Sequence, residues 1–359
     1  FPLDGVVRLH ERVRGIYDLE NAPEKLGLIL GEGPHKDTQE LQVPVMRWFN
    51  KLLSESEAPV ANYAEKFFTP QQLKVFATLP SNEISSTCYE NFTALAADSA
   101  NFDPRKALSD LRVKTFGGWP AANAPVNIRQ LAATEAGGVR LTVHEFESES
   151  GIRLRFYVAQ PAAGAPKSMH LETLDEANWR QQLQEAGAGF AGALGDELAR
   201  AGLDSKSPGS LAEQKTFAGW MRYVRENQAA CITFAPRGVG MSALGGDKRY
   251  QTQIRRRFML LGETLASSQV WDVLRAAEAV RTLPGLGGLP LHFHASPEMT
   301  EVATFATLFE PALASLTLAG PPRSDKLAPD FLNWSRIVTP GQLLQLAGLK
   351  TKINLPPKP

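Results

Sequence analysis

The sequence is short of everything that marks several large classes of protein. Among its 359 residues, 38 Lys and Arg balance 38 Asp and Glu, so the formal charge is zero. A nucleic-acid binder neutralises phosphates with a basic excess or stripe. The only tight basic cluster is Arg255-Arg256-Arg257, and three consecutive helical residues point in different directions. No run approaches the roughly 20 apolar residues that span a bilayer. With only Cys88 and Cys231, in no metal-ligand or redox spacing, the expectation is two buried free thiols. No phosphate loop or dinucleotide glycine pattern occurs, so no cofactor and no metal is expected. The chain opens Phe1-Pro2-Leu3-Asp4, with neither an initiator methionine nor a basic-then-apolar leader, so the compartment is not legible.

The hydrophobic content, 43%, is that of an ordinary globular chain, and the length sets a prior of two domains. In the first, Val6, Leu9, Val13 and Ile16 form one face of an amphipathic helix. After Asn21-Ala22-Pro23, the apolar run Lys25–Leu30 reads as a strand buried on both faces of a parallel sheet. The run breaks at Gly31-Glu32-Gly33-Pro34-His35-Lys36-Asp37-Thr38. Asp37 and Glu40 have capping-box spacing, and a helix carrying Met46, Trp48, Phe49, Leu52 and Leu53 follows. Pro44 either kinks that helix or marks its first turn. A histidine in a loop directly after a buried strand would stand at the carboxyl edge of a sheet, where open α/β folds bind ligands. His35 is therefore the candidate catalytic residue.

Residues 56–130 lack a sustained period and carry Pro70, Pro80, Pro104 and Pro120, as a connector would. Asn91-Phe92-Thr93 fits a glycosylation sequon, a pattern frequent by chance. From 131 to 359 a second unit begins with a hairpin of Val139–Phe146 and Ile152–Val158 that has one wet face, with His144 at an exposed position. Cys231–Ala235, Leu289–His294 and Leu313–Ala319 read as strands. Segments from about Tyr250 to Leu283 and from Glu298 to Phe309 read as helices. This alternation implies a mostly parallel sheet covered on both faces, so the fold class is α/β.

Residues 1–55 as a unit resemble the C-terminal end of the α/β-hydrolase domain in acetyl xylan esterase-like and dipeptidyl-peptidase-like hydrolases. There, a last strand, a loop bearing the triad histidine and a final helix close the domain. The resemblance implies that His35 is the general base. The triad order of serine, acid and histidine then puts the nucleophile and the acid upstream of residue 1; Asp4 does not match the acid. On this reading the chain is the downstream fragment of a serine hydrolase, a carboxylesterase acting on a small-molecule or carbohydrate ester. Its partner would be the missing N-terminal part of its own domain, with no nucleic-acid or membrane partner, and the protein periplasmic or secreted. A prolyl-oligopeptidase-type peptidase shares the triad order.

The second unit also resembles an α/β-hydrolase domain. Phe234–Ala243 is similar to the loop after the fourth strand, and the stretch from Arg255 to the end of the following helix is similar to the helix before the nucleophile strand. The nucleophile elbow G-x-S-x-G is absent: His294-Ala295-Ser296-Pro297-Glu298 stands there, without the small flanking residues the strained turn requires. His292 and His294 share a sheet face, but no third or fourth metal ligand is visible. The expectation is a degenerate unit lacking a nucleophile elbow, serving packing or substrate positioning, and a chain inactive by itself.

Overall fold

A computed structural model describes residues 2–33, 35–63, 66–92, 94–98, 101–121, 124–204, 210–324 and 327–357. Thr93 of the sequon lies outside them. The chain divides into two compact units, Phe1–Cys88 and Tyr89–Pro359.

Among the described residues the first unit has two α-helices, α1 (Leu3–Leu19) and α2 (Gln39–Leu53). The expected strand over Lys25–Leu30 does not form. A 3-10 turn, Pro23–Lys25, precedes an extended segment in which Leu28 is 39% and Leu30 56% exposed. Among the described residues the unit has no second strand to pair with this segment, so its apolar side chains cannot be covered on two faces. It leans on α2 instead. A Cβ on Gly27 would sit 3.1 Å from Nε1 of Trp48, so glycine permits the close approach. The helix cap is also displaced. Thr38 occupies the N-cap position, not Asp37, and makes no side-chain cap bond; Pro44 lies inside a continuous helix. Arg47 of α2 donates to the carbonyl of Val60 at 2.9 Å, drawing the following segment alongside.

The second unit is built on one eight-stranded sheet. A helix, α3 (Pro104–Lys114), opens it, its first turn held by the Asp103 carboxylate, which accepts from the amides of Arg105 and Lys106. Its Leu111 is wholly buried, so the latter part of 56–130 contributes to this core. Strands β1 (Arg129–Ala136), β2 (Val139–Glu149) and β3 (Ile152–Pro161) form an antiparallel meander, and β4 (Ser168–Thr173) follows. Helices α4 (Glu176–Phe190), α5 (Gly195–Ala201) and α6 (Leu211–Glu226) lead to β5 (Ala229–Phe234). Then come α7 (Lys248–Leu260), α8 (Leu265–Arg281) and β6 (Leu291–Ala295). Helix α9 (Thr300–Phe309), β7 (Ser315–Leu318), α10 (Pro340–Gly348) and β8 (Lys352–Asn354) complete the unit.

The order across the sheet is β1-β2-β3-β5-β4-β6-β7-β8, antiparallel as far as β5 and parallel from β5 to β8. The expected α/β class is the one formed, with α4 and α6 packed together beside the meander and α8, α9 and α10 packed in succession. The long helical segment after β5 is interrupted at Gly262, whose φ of 76° ends α7. The expected exposure of His144 is not found. The residue is 6% exposed, stacked on Phe156 and bonded through Nε2 to the Thr142 hydroxyl at 2.9 Å, because β2 is an interior strand touched by both α6 and α8. Of the two thiols, Cys231 is buried and Cys88 is only half-buried.

Candidate functional site

The strand order reverses at β4: the chain leaves it toward β5 on one side and later places β6 on the other. In open α/β sheets the crevice at the carboxyl ends of strands that diverge in this way is the favoured ligand site. The loops after β4 and β6 meet there, and they bring Ser296 against Asp175. The amide of Asp175 donates to Ser296 Oγ at 2.8 Å, and Ser296 is 4% exposed. The carboxylate of Asp175 caps α4, accepting from the amide and side chain of Asn178, both at 2.9 Å. Burial pushes the Asp175 carboxyl up, but its donors from Asn178, Ser296 and Glu298 outweigh burial and hold it below the usual carboxylate range.

The turn after β6 is not a nucleophile elbow. Ser296 has φ −65° and ψ 161°, an ordinary extended conformation, and Pro297 opens a 3-10 turn into α9. An elbow thrusts its serine out of a strained strand-to-helix turn; here the hydroxyl is turned inward, and its bonded neighbour is an amide rather than an imidazole. Glu298 faces Arg323 at 2.6 Å, which is also gripped by buried Glu301 at 2.8 Å. Serine, glutamate and histidine of the motif therefore serve three separate local arrangements.

The loop of Pro236–Ser242, expected after a strand of the parallel sheet, follows β5. Arg237 is drawn down by Asp272 of α8, its Nη2 at 2.7 Å from Oδ1 and its Nε at 2.9 Å from Oδ2, and by Glu149. Burial disfavours the guanidinium, but the Asp272 and Glu149 carboxylates overcome this and hold it charged. Gln269 donates to the Arg237 carbonyl at 2.9 Å and Glu176 accepts from the amide of Gly240 at 2.7 Å. Gly240 has φ 59°, and a Cβ there would meet the Trp179 ring at 2.6 Å.

His292 and His294 do share a face, and the structure adds a third imidazole that the sequence pattern did not single out, His170 of β4. Parallel pairing sets His170 beside His292 and Glu172 beside His294. His170 stacks on His292 at 4.7 Å, its Nδ1 lies 3.0 Å from Nε2 of His294, and its Nε2 lies 3.1 Å from the Ser168 hydroxyl. His292 Nδ1 meets Ser315 Oγ at 2.8 Å. Burial and then the neighbouring His294 and His292 push His170 down to about 4; His294 and His292 are lowered too, chiefly by burial. The ring nitrogens thus bond one another and the flanking hydroxyls. Among the described residues no group of His, Cys, Asp or Glu is arranged to hold a metal. The signal that could have found His170 is Ser168–Thr173 itself, a polar-apolar alternation of Ser, Met, His, Leu and Glu.

His35 lies in the first unit, exposed, in a bend that follows the extended segment. The sheet edge at which the sequence places it is not formed among the described residues of that unit.

No family model and no curated protein matches the sequence. Solved structures similar to it include esterases. One is a Bacteroides fragilis protein described as a candidate acetyl xylan esterase, 12% identical, with 75% of this chain and 72% of that one covered and a TM-score of 0.49. Another is a CE15 glucuronoyl esterase from Teredinibacter turnerae, 11% identical over 69% and 66% of the two chains, TM-score 0.45. Acetyl xylan esterase 1 from a Thermoanaerobacterium species is 10% identical over 64% and 62%, TM-score 0.36. The chain spans less than two thirds of the length of the last two.

Proposed function

We propose that this chain is the downstream part of a serine carboxylesterase of the α/β-hydrolase class, in which His35 is the general base and the second unit is non-catalytic. The observation that carries the division of roles is the turn at Ser296, with its relaxed backbone and inward hydroxyl held by the Asp175 amide. A nucleophile needs an exposed hydroxyl with an imidazole within reach, and this serine has neither. The base role of His35 is supported by the resemblance of residues 1–55 and by the exposed position of the residue in its loop. Nucleophile and acid would come from polypeptide upstream of residue 1.

His35 would accept the proton of that serine as its Oγ bonds to the ester carbonyl carbon, then return it to the leaving alcohol as the carbon–oxygen bond breaks. Water deacylates the enzyme by the same transfers. A carbohydrate ester is the substrate class that the resemblance suggests.

The experiment is p-nitrophenyl acetate hydrolysis by this chain and by the polypeptide extended upstream. The chain alone should show no turnover. The extended protein should turn over, lose at least about 10³-fold in kcat with His35→Ala, and be unaffected by Ser296→Ala. Turnover by the chain alone, or loss of turnover with Ser296→Ala, overturns the assignment.

A further inference from the structure

Helix α7 carries five cations, Lys248, Arg249, Arg255, Arg256 and Arg257, and no carboxylate, in a chain whose total charge is zero. The three consecutive arginines do not have equivalent surroundings. Arg255, itself exposed, pairs with Asp330, with Nη2 3.0 Å from Oδ1. It lines a groove of about 350 Å³ with Ile254, Phe258 and Leu265. On the opposite side the 100° step of a helix brings Arg249, Arg256 and Leu260 within about 40° of one another, with Arg257 next to them. Lys248, Arg249, Arg256 and Arg257 are exposed, and none has an ion-pair or hydrogen-bond partner for its side chain among the described residues.

Large apolar side chains stand among these cations. Leu260 is 85% and Leu261 77% exposed, and Tyr250 is 51% exposed. No residue of the helix is buried. Unpaired arginines close together repel one another, and exposed leucines are unfavourable in water. A partner that relieves both must present negative charge with an apolar layer directly beneath it. A soluble polyanion offers the charge and nothing for Leu260 and Leu261. A bilayer containing anionic lipids offers both, because Arg reaches the headgroups while a short apolar side chain enters the acyl boundary.

We propose that the outer face of α7 is a peripheral docking surface for an anionic lipid bilayer, with Arg249, Arg256 and Arg257 on the headgroups and Leu260 and Leu261 inserted. This is adsorption on one leaflet, not spanning, and does not depend on the esterase reading.

The test is co-sedimentation of the chain with sucrose-loaded vesicles of phosphatidylcholine, alone or with phosphatidylglycerol at 3:1, with heparin as the soluble polyanion. Anionic vesicles should carry the chain down and neutral ones should not. Replacing Arg249, Arg256 and Arg257 by Gln together should weaken partitioning about 100-fold, at roughly fivefold per cation. Leu260→Ser with Leu261→Ser should weaken it at low and high salt alike, since insertion is not screened. Far-UV circular dichroism verifies that each variant is folded. Three results overturn the proposal: no sedimentation with anionic vesicles, equal sedimentation with neutral ones, or an undiminished triple variant. Heparin binding that ignores the leucines, without vesicle binding, assigns the face to a soluble polyanion and overturns it too.

Discussion

Acid should loosen the second unit through the imidazoles on its sheet, and His170→Gln should remove much of that sensitivity. His170 titrates at about 4 in the folded unit against a usual 6.5, because burial and then His294 and His292 disfavour its cation. Between those two values the unfolded chain binds more protons than the folded one, so stability is complete above 6.5 and falls as the pH drops toward 4. The full displacement corresponds to about 3 kcal/mol. The ring is only half-buried, so solvent screening leaves about 1–2 kcal/mol. Geometry points the same way: the 3.0 Å contact between His170 and His294 has room for one hydrogen, so the doubly protonated pair sets two N–H groups against each other. Glu172, whose carboxyl burial pushes up, changes in the opposite sense and is common to both proteins. Urea unfolding followed by tryptophan emission at pH 7.5 and 5 measures the difference. The wild type should lose about 1 kcal/mol more than His170→Gln over that interval, which stops short of the folded value. Equal pH slopes in the two proteins, or a wild type more stable at pH 5, would refute the reasoning.

Asp272→Ala should destabilise the second unit by about 3–5 kcal/mol in the same unfolding assay, because it leaves Arg237 buried beside Glu149 alone. Gly240→Ala should cost about 2–4 kcal/mol, read as a lowered Tm, since the positive φ and the Trp179 ring both oppose a Cβ. Gly151→Ala, also at positive φ but with open space around it, should cost only about 1–2 kcal/mol and serves as the internal comparison.

The α/β alternation of the second unit, its hairpin and the missing elbow were legible because each is local: period-two apolar strands, glycine and proline turns, and bulky residues on either side of Ser296. The extended segment at Leu26–Leu30 shows the limit of that legibility. An apolar run has the composition of a buried strand, yet a strand exists only when a neighbour supplies ladder partners, and the described residues of the first unit supply none. His144 was misplaced for a related reason. Alternation assigns a face, but whether that face is wet depends on which helices fold back over it. His170 escaped notice because its companions are 122 and 124 residues further along, joined to it only by the β4–β6 register. The arginines of α7 looked scattered in one dimension, and only Asp330 in space separates the one that is paired from those left without a carboxylate. The sequence by itself determined the α/β class, the balanced charge and the absence of an elbow, which are properties of composition and short spacing. Which imidazoles share a face, which charges are neutralised and which apolar segments stay uncovered were decided by tertiary structure, because each depends on a partner distant in the chain.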